Sequence, residues 1–465
     1  MASQDTALEP NAPALSRGLR SRHVTMISIG GIIGAGLFVG SSAGIATVGP
    51  AILVSYLLAG AVVLVVMRML AEMATATPGL GSFTEYIRLG LGPWAGFVSG
   101  WLYWYFWVVV VAIEAIAGAA LLHAWIALPV WTIVLVLMLA LTAVNLMSSR
   151  SYGEFEFWFA SIKVGAIVAF IMIGGAYVLG ITSPAGATFA NLYSDRGFAP
   201  FGWAAVLAGA TTIVFSLCGA EIVTVAAAES NEPTAVISKL TSTLALRILL
   251  FYVLSILLIV TVVPWRDVAP GSSPFALALE RTGIPGAATI MNLIVLTAVL
   301  SCLNSGLYVT SRVLFTLAAR NDAPQALIAL SRRRVPWRAI LIGTSFGYLA
   351  VLMSVLSPER AFAFLVNASG ALMILIYLLA CLAHLRLRRQ IERTSPERLI
   401  IKVWLFPWLS WFTIAAMLGV LVAMAFASEL ASELEASLVA VAVVLLAYGA
   451  VRARRRARQS GGSSR

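Results

Sequence analysis

Read for runs of apolar positions, the chain divides into about twelve stretches, each near the roughly 20 residues that a helix needs to cross a hydrocarbon core of about 30 Å. They fall at about 24–44, 49–73, 94–122, 129–146, 157–179 and 201–228, and then at 244–263, 287–319, 339–356, 361–385, 403–427 and 434–450. Short polar, Gly/Pro-rich or basic segments separate them. No alternation of period two suggests strands. The pattern predicts an all-α integral membrane protein with 12 transmembrane helices.

Two runs are interrupted. The first contains Ile29–Gly40, with glycines at 30, 31, 34, 36 and 40. Glycine costs about 1 kcal/mol against alanine inside a helix, so this density needs a cause. One cause is packing, because Gly30/Gly34 and Gly36/Gly40 are small-xxx-small pairs that let membrane helices approach closely. The other is a helix broken at membrane depth, which is tolerated only where backbone lines a cavity or is buried in protein. Gly34-Ala35-Gly36 is the expected break. Taken alone, the packing reading is simpler. The sixth run reverses that order, because Ser216-Leu-Cys-Gly-Ala-Glu221 interrupts it in its middle. Interrupted segments at matching places in two halves are the best sequence pointer to a transporter site. Five runs per half also give the halves opposite insertion directions, with repeat one at about 24–180, repeat two at about 201–385, and two further helices at about 403–450.

Composition agrees. Hydrophobic residues make up 60% of the 465, charged residues 11%, and mean hydropathy is +0.95, whereas soluble domains carry about 25% charged residues. A single transporter domain is expected over 17–452. The polar residues 1–16, which lack the order of a signal peptide, are expected to form a disordered N-tail, and 453–465 a basic C-tail expected to be disordered. The net charge of +11 is no sign of a nucleic-acid partner. With a cytoplasmic N-terminus, 26 of the 31 Lys and Arg fall in the tails, inner loops or adjoining run ends. Arg196, Arg266, Arg281 and Arg360 fall outside, and Lys163 lies within the fifth run. The positive-inside rule therefore places both termini in the cytoplasm. The bilayer is the expected partner, with Arg332–Arg334, Arg386–Arg389 and Arg452–Arg458 as orientation signals.

Ionisable residues inside apolar runs are costly and hence candidate functional groups. Glu221 directly follows the second break, where it serves as gate, proton carrier or substrate contact, or as a structural carboxylate held by freed amides. Lys163 lies about six residues inside its run, a long reach for a snorkelling stem. Glu114, in the third run, is either a coupling group or a hydrogen-bonded acid between helices. Glu72, Glu154 and Glu156 fall near inner ends and are expected to be interfacial. The aromatic cluster Trp101, Tyr103–Trp107 points all round its helix, so part of it faces protein. Cys218, Cys302 and Cys381 and the three histidines show no disulfide or metal spacing. Gly40-Ser-Ser-Ala-Gly44 lacks the strand-to-helix turn of a nucleophile elbow, and there is no Walker lysine. Neither an enzyme nor ATP-driven transport is indicated, and no cofactor is expected.

The chain resembles the amino acid–polyamine–organocation superfamily, and within it bacterial amino acid permeases. The resemblance rests on Ile29-Gly-Gly-Ile-Ile-Gly-Ala-Gly-Leu-Phe38, Met67-Arg-Met-Leu-Ala-Glu-Met73 and Gly100–Trp107. Two more motifs, Gly219–Pro233 and Ser301–Arg312 running on to Asn321-Asp-Ala-Pro324, are similar to the γ-aminobutyrate branch. The resemblance covers about 17–450. It implies a LeuT-type fold of 5+5 inverted repeats plus two helices, with helices 1 and 6 discontinuous. It implies that the substrate carboxylate meets the amides of Gly34, Ala35 and Gly36, as suits a helix N-terminus, and that the ammonium meets carbonyls including those of Ile32, Ser216 and Cys218, near Gly219 and Glu221. It further implies that Lys163 takes the place of a sodium ion, which favours H⁺ over Na⁺ symport. Relatives usually carry Ser or Thr where this chain has Ala35. The expected activity is amino acid import across the bacterial inner membrane by H⁺ symport. The alternatives are an exchanger, a permease for proline or an aromatic amino acid, or a non-transporting sensor.

Overall fold

The computed structural model describes residues 25–26, 31–77, 80, 82–147, 149–182, 189–227, 243–356, 358–427 and 430–461. The expected N-tail, Ile29-Gly30 and residues 228–233 of one motif lie outside them. Among the described residues every regular element is helical. Nine helices there are long and apolar enough to cross a membrane. That is coarser than twelve runs, because Ala35–Ala76 takes in two of them, Ile248–Val262 falls short in length, and the ninth run, 339–356, is not among the nine.

The first run contains α1 (Ala35–Phe38) and α2 (Gly40–Val48), followed by α3 (Ile52–Ala76). The chain reverses at Gly49, whose φ of +74° suits glycine and against which Pro200 packs. An amphipathic helix, α4 (Phe83–Leu91), starts from Ser82, whose Oγ accepts the Thr84 N–H. Next come α5 (Pro93–His123), α6 (Val130–Met147) and α7 (Ser149–Val178). The sixth run is α8 (Gly202–Ala208), α9 (Ala210–Leu217) and α10 (Ile222–Ala227). The seventh is α11 (Leu244–Arg247), a π-helical stretch Ile248–Leu254, and α12 (Ser255–Val262). A short α13 (Pro274–Arg281) precedes α14 (Ala287–Ala319). The chain ends with α15 (Trp337–Leu356), α16 (Pro358–Thr394), α17 (Trp408–Phe426) and α18 (Ala431–Gly461).

The most extensive helix–helix packing is between α5 and α14, and α16 packs on α4, α5 and α9. α1, α9 and α10 lie inside this frame, and every residue of α1 and α9 is buried. The outer helices α17 and α18 leave large apolar side chains exposed, including Phe426 and Leu446, as lipid-facing surfaces do. Three boundaries differ from the sequence reading. α7 begins eight residues before the expected start of its run, α16 continues nine residues beyond its apolar stretch, and α18 continues to Gly461 where a disordered tail was expected. Arg and Ala are strong helix formers, so α16 and α18 propagate past the apolar limit; the early start of α7, through Ser149–Glu156 with Gly153 in it, has no such explanation. Arg455 on the extension pairs with Asp322 at 3.0 Å.

Candidate functional site

The first break falls at Ile33 and Gly34, one residue before the expected centre. Gly34 is extended (φ −135°, ψ −156°) and precedes the first turn of α1. The Ala35 N–H that this exposes donates to both oxygens of Glu114, at 3.0 and 3.1 Å. Space explains the glycines. A Cβ on Gly34 would come within 2.7 Å of Cys302 Sγ and 2.8 Å of Glu114 Oε1, and one on Gly36 within 2.7 Å of Ser216 Cα. Close packing and a broken helix therefore coexist at this stretch, and the small residues serve both.

The second break is its counterpart. α9 ends at Leu217, Cys218 is extended, and Gly219 takes φ +107° before α10 begins at Ile222. A Cβ on Gly219 would overlap the Gly31 carbonyl, so the two breaks touch through backbone. The hydroxyl of Tyr252 joins them. It lies 2.7 Å from the Ile32 carbonyl oxygen and 2.9 Å from that of Ser216, sharing its one proton between them. Tyr252 sits in the π-helical stretch, a distortion found frequently at functional sites.

Between the breaks lies a small cavity. Gly31, Ile32, Gly34 and Gly36 form one wall, and Phe215, Ser216 and Cys218 another. Phe106, Trp107, Val110 and Glu114 from α5 and Cys302 from α14 complete it. Glu114, 1% exposed, is the one charged residue in that lining. Six of the residues singled out from sequence (Ile32, Gly34, Gly36, Glu114, Ser216 and Cys218) are thus brought together, and Ala35 adds its amide. Gly219, Glu221 and Lys163 are outside the lining. Phe106, Trp107, Val110, Phe215, Cys302 and Tyr252 were not marked as site residues by sequence reasoning. Of these, Phe106 and Trp107 carried a signal as members of the aromatic cluster, and Cys302 as part of the Ser301–Arg312 motif. That cluster is mostly protein-facing: Tyr103, Phe106 and Trp107 are buried, and Tyr105 is exposed.

Glu221 sits behind the second break as a clamp. Its carboxylate accepts the Gly219 N–H at 3.1 and 3.2 Å, the Tyr103 hydroxyl at 3.2 Å and the Tyr377 hydroxyl at 3.0 Å. It therefore ties the second break to α5 and α16 while satisfying a freed amide. Lys163 is fully buried, with Nζ 3.9 Å from Glu156 Oε1.

Two acids expected at the interface are inside the protein. Glu156 is 0% exposed and accepts the Ser301 hydroxyl at 2.5 Å, because the early start of α7 puts it about two turns within the helix. Glu72 is 1% exposed. It faces Arg388 at 2.7 Å and His384 at 3.2 Å, and it accepts the Val403 N–H at 2.6 Å. The extension of α16 carries Arg388 to it. Hydropathy alone cannot show such partners, since they come from distant segments.

Two broken helices in backbone contact, within a bundle whose described elements are all helical and with a small cavity between them, are an arrangement that suits a membrane carrier. The chain belongs to the amino acid permease family, which it matches over residues 23–458. It is 48% identical over 445 residues to the gamma-aminobutyric acid permease of Bacillus subtilis (strain 168), covering 95% of this chain and 94% of that protein. It is 45% identical over 417 residues to the gamma-aminobutyric acid permease of Escherichia coli (strain K12), covering 89% of each. Among solved structures it resembles a mutant form of the Eremococcus coleocola manganese transporter, with TM-score 0.58 and 14% identity over 93% of this chain and 92% of that one. That likeness is one of fold. The chain is an amino acid permease and a multi-pass membrane protein.

Proposed function

We propose that this permease imports γ-aminobutyrate, or a closely related amino acid, by H⁺ symport across the bacterial inner membrane. One observation carries the proposal: the two helix breaks meet, joined by Tyr252, around a cavity where the Ala35 amide already holds a carboxylate, that of Glu114. An amide that binds one carboxylate can bind another, so the substrate carboxylate would take the place Glu114 holds. The ammonium would meet the Ile32, Ser216 and Cys218 carbonyls. Lys163 and Glu114 would serve coupling, with Glu221 holding the α10 half-helix in place.

The twelve apolar runs support twelve spans with both termini cytoplasmic. Pairing of α5 with α14, the third helix of each half, supports two inverted repeats of five plus two further helices. The high identity to γ-aminobutyrate permeases supports that substrate. Alternating access would work by gating around the helices that carry the breaks.

The test is uptake of labelled γ-aminobutyrate into proteoliposomes under an inward proton gradient, with a sodium gradient as control and unlabelled amino acids as competitors. Proton-driven uptake blocked by γ-amino acids is expected, and Lys163→Ala should abolish the proton dependence. Counterflow without net accumulation would show an exchanger. Sodium dependence would overturn the role of Lys163.

A further inference from the structure

Glu156 is a fully buried carboxylate that the proposed site does not use. Lys163 lies seven residues on, about two helical turns along the same face of α7. Helical side chains lean toward the N-terminus, so the lysine stem brings Nζ to 3.9 Å from Glu156 Oε1. That is an ion pair but not a hydrogen bond, whose N–H···O length is about 2.7–3.2 Å. A shift of about 1 Å closes it. Ser301 donates to Oε1 at 2.5 Å, whereas Oε2 is buried without a hydrogen-bond partner. A buried carboxylate oxygen with no donor is costly when charged, and it is open to a proton.

A polar ladder surrounds the pair. On α7, Tyr152, Glu156 and Lys163 share one face. On α14, Ser301, Ser305, Tyr308 and Arg312 share the face opposite. The Tyr152 hydroxyl lies 3.0 Å from Ser305 Oγ, the rings of Tyr152 and Tyr308 stack at 4.2 Å, and the Arg312 guanidinium covers Tyr308 at 3.9 Å. Among the described residues, Lys163, Tyr152 and Cys302 are titratable groups that face Glu156, with Arg312 beyond Tyr152 and Glu114 beyond Cys302. The ladder descends from the level of the cavity toward the N-terminal end of α7, the cytoplasmic end in the proposed topology.

We infer that Glu156 is the acceptor through which the coupled proton leaves Lys163. The ammonium N–H breaks and an O–H forms on the Glu156 carboxylate, leaving a neutral amine and a neutral acid. The acid then releases its proton to water on the inner side, along the Tyr152/Ser305 ladder. Glu156 acts through Lys163 without touching substrate, so it is a positioning and relay residue. This inference rests on the H⁺ symport reading.

Glu156→Gln tests it, because the amide still accepts from Ser301 but cannot carry the proton. In proteoliposomes, counterflow with substrate on both sides and no proton gradient should persist, while proton-driven accumulation falls at least about tenfold. Glu156→Asp should recover part of the accumulation. Wild-type-like accumulation by Glu156→Gln overturns the inference and leaves symport standing. Equal loss of counterflow and accumulation also overturns it, because that marks a structural role. Absence of proton-driven accumulation in the wild type overturns the symport reading itself, and this inference with it.

Discussion

At Gly36 a single methyl group decides whether two helices can meet. A Cβ there would lie 2.7 Å from the Ser216 Cα, a backbone atom with no rotamer to yield, whereas one on Gly40 would lie 3.5 Å from the Ala35 carbonyl oxygen, an ordinary contact. The two glycines form one small-xxx-small pair, and sequence treats them alike. Gly36→Ala should reduce initial uptake at least about tenfold at equal membrane abundance, consistent with overpacking costs of about 1–3 kcal/mol. Gly40→Ala should stay within about twofold of the wild type on the same scale. Similar uptake by the two variants would contradict the packing described here. The same residue scale shows what was not legible. Glu72 and Glu156 look interfacial in one dimension because their partners, Arg388 and Ser301, come from segments far along the chain.

Among the elements, the breaks were the most legible feature, since glycine density and an acid at the second interruption both mark freed backbone. What joins the breaks was not legible. Tyr252 sits in an apolar run, and nothing in its neighbours tells of two carbonyls awaiting a donor. Tyr252→Phe keeps the ring and removes that donor, leaving buried carbonyls short of a bond at about 1–3 kcal/mol. A lower midpoint of thermal unfolding in detergent is therefore expected. An unchanged midpoint would show that the hydroxyl does not bind the breaks together. Element limits were readable where composition changes abruptly. α14 runs from Ala287 to Ala319 as the apolar pattern predicts, bounded by Gly286 with φ +75° and by Arg320. They were misread for α7, and for α16 and α18, where helix-forming polar residues extend the helix beyond hydropathy.

The whole molecule is a bundle whose charges serve two purposes. In the proposed topology the surplus of Lys and Arg marks the cytoplasmic side, and the few charges inside lie where helices break or face one another. The membrane class was legible from apolar runs, and half of the cavity from glycine placement, the buried acid Glu114 and the family resemblance that pointed to Ile32, Ser216 and Cys218. The remaining lining residues come mostly from α5 and α14, continuous helices in which no glycine break marks the positions that face the cavity. The central claim is that substrate and proton move together, and proton flux reads it directly. Proteoliposomes would enclose a pH-sensitive dye, with equal pH on both sides, no sodium and potassium/valinomycin to clamp the voltage. External γ-aminobutyrate, or the amino acid found to be transported, should then acidify the lumen, and Lys163→Ala should abolish the signal. Entry of labelled substrate with no change in luminal pH would contradict the account.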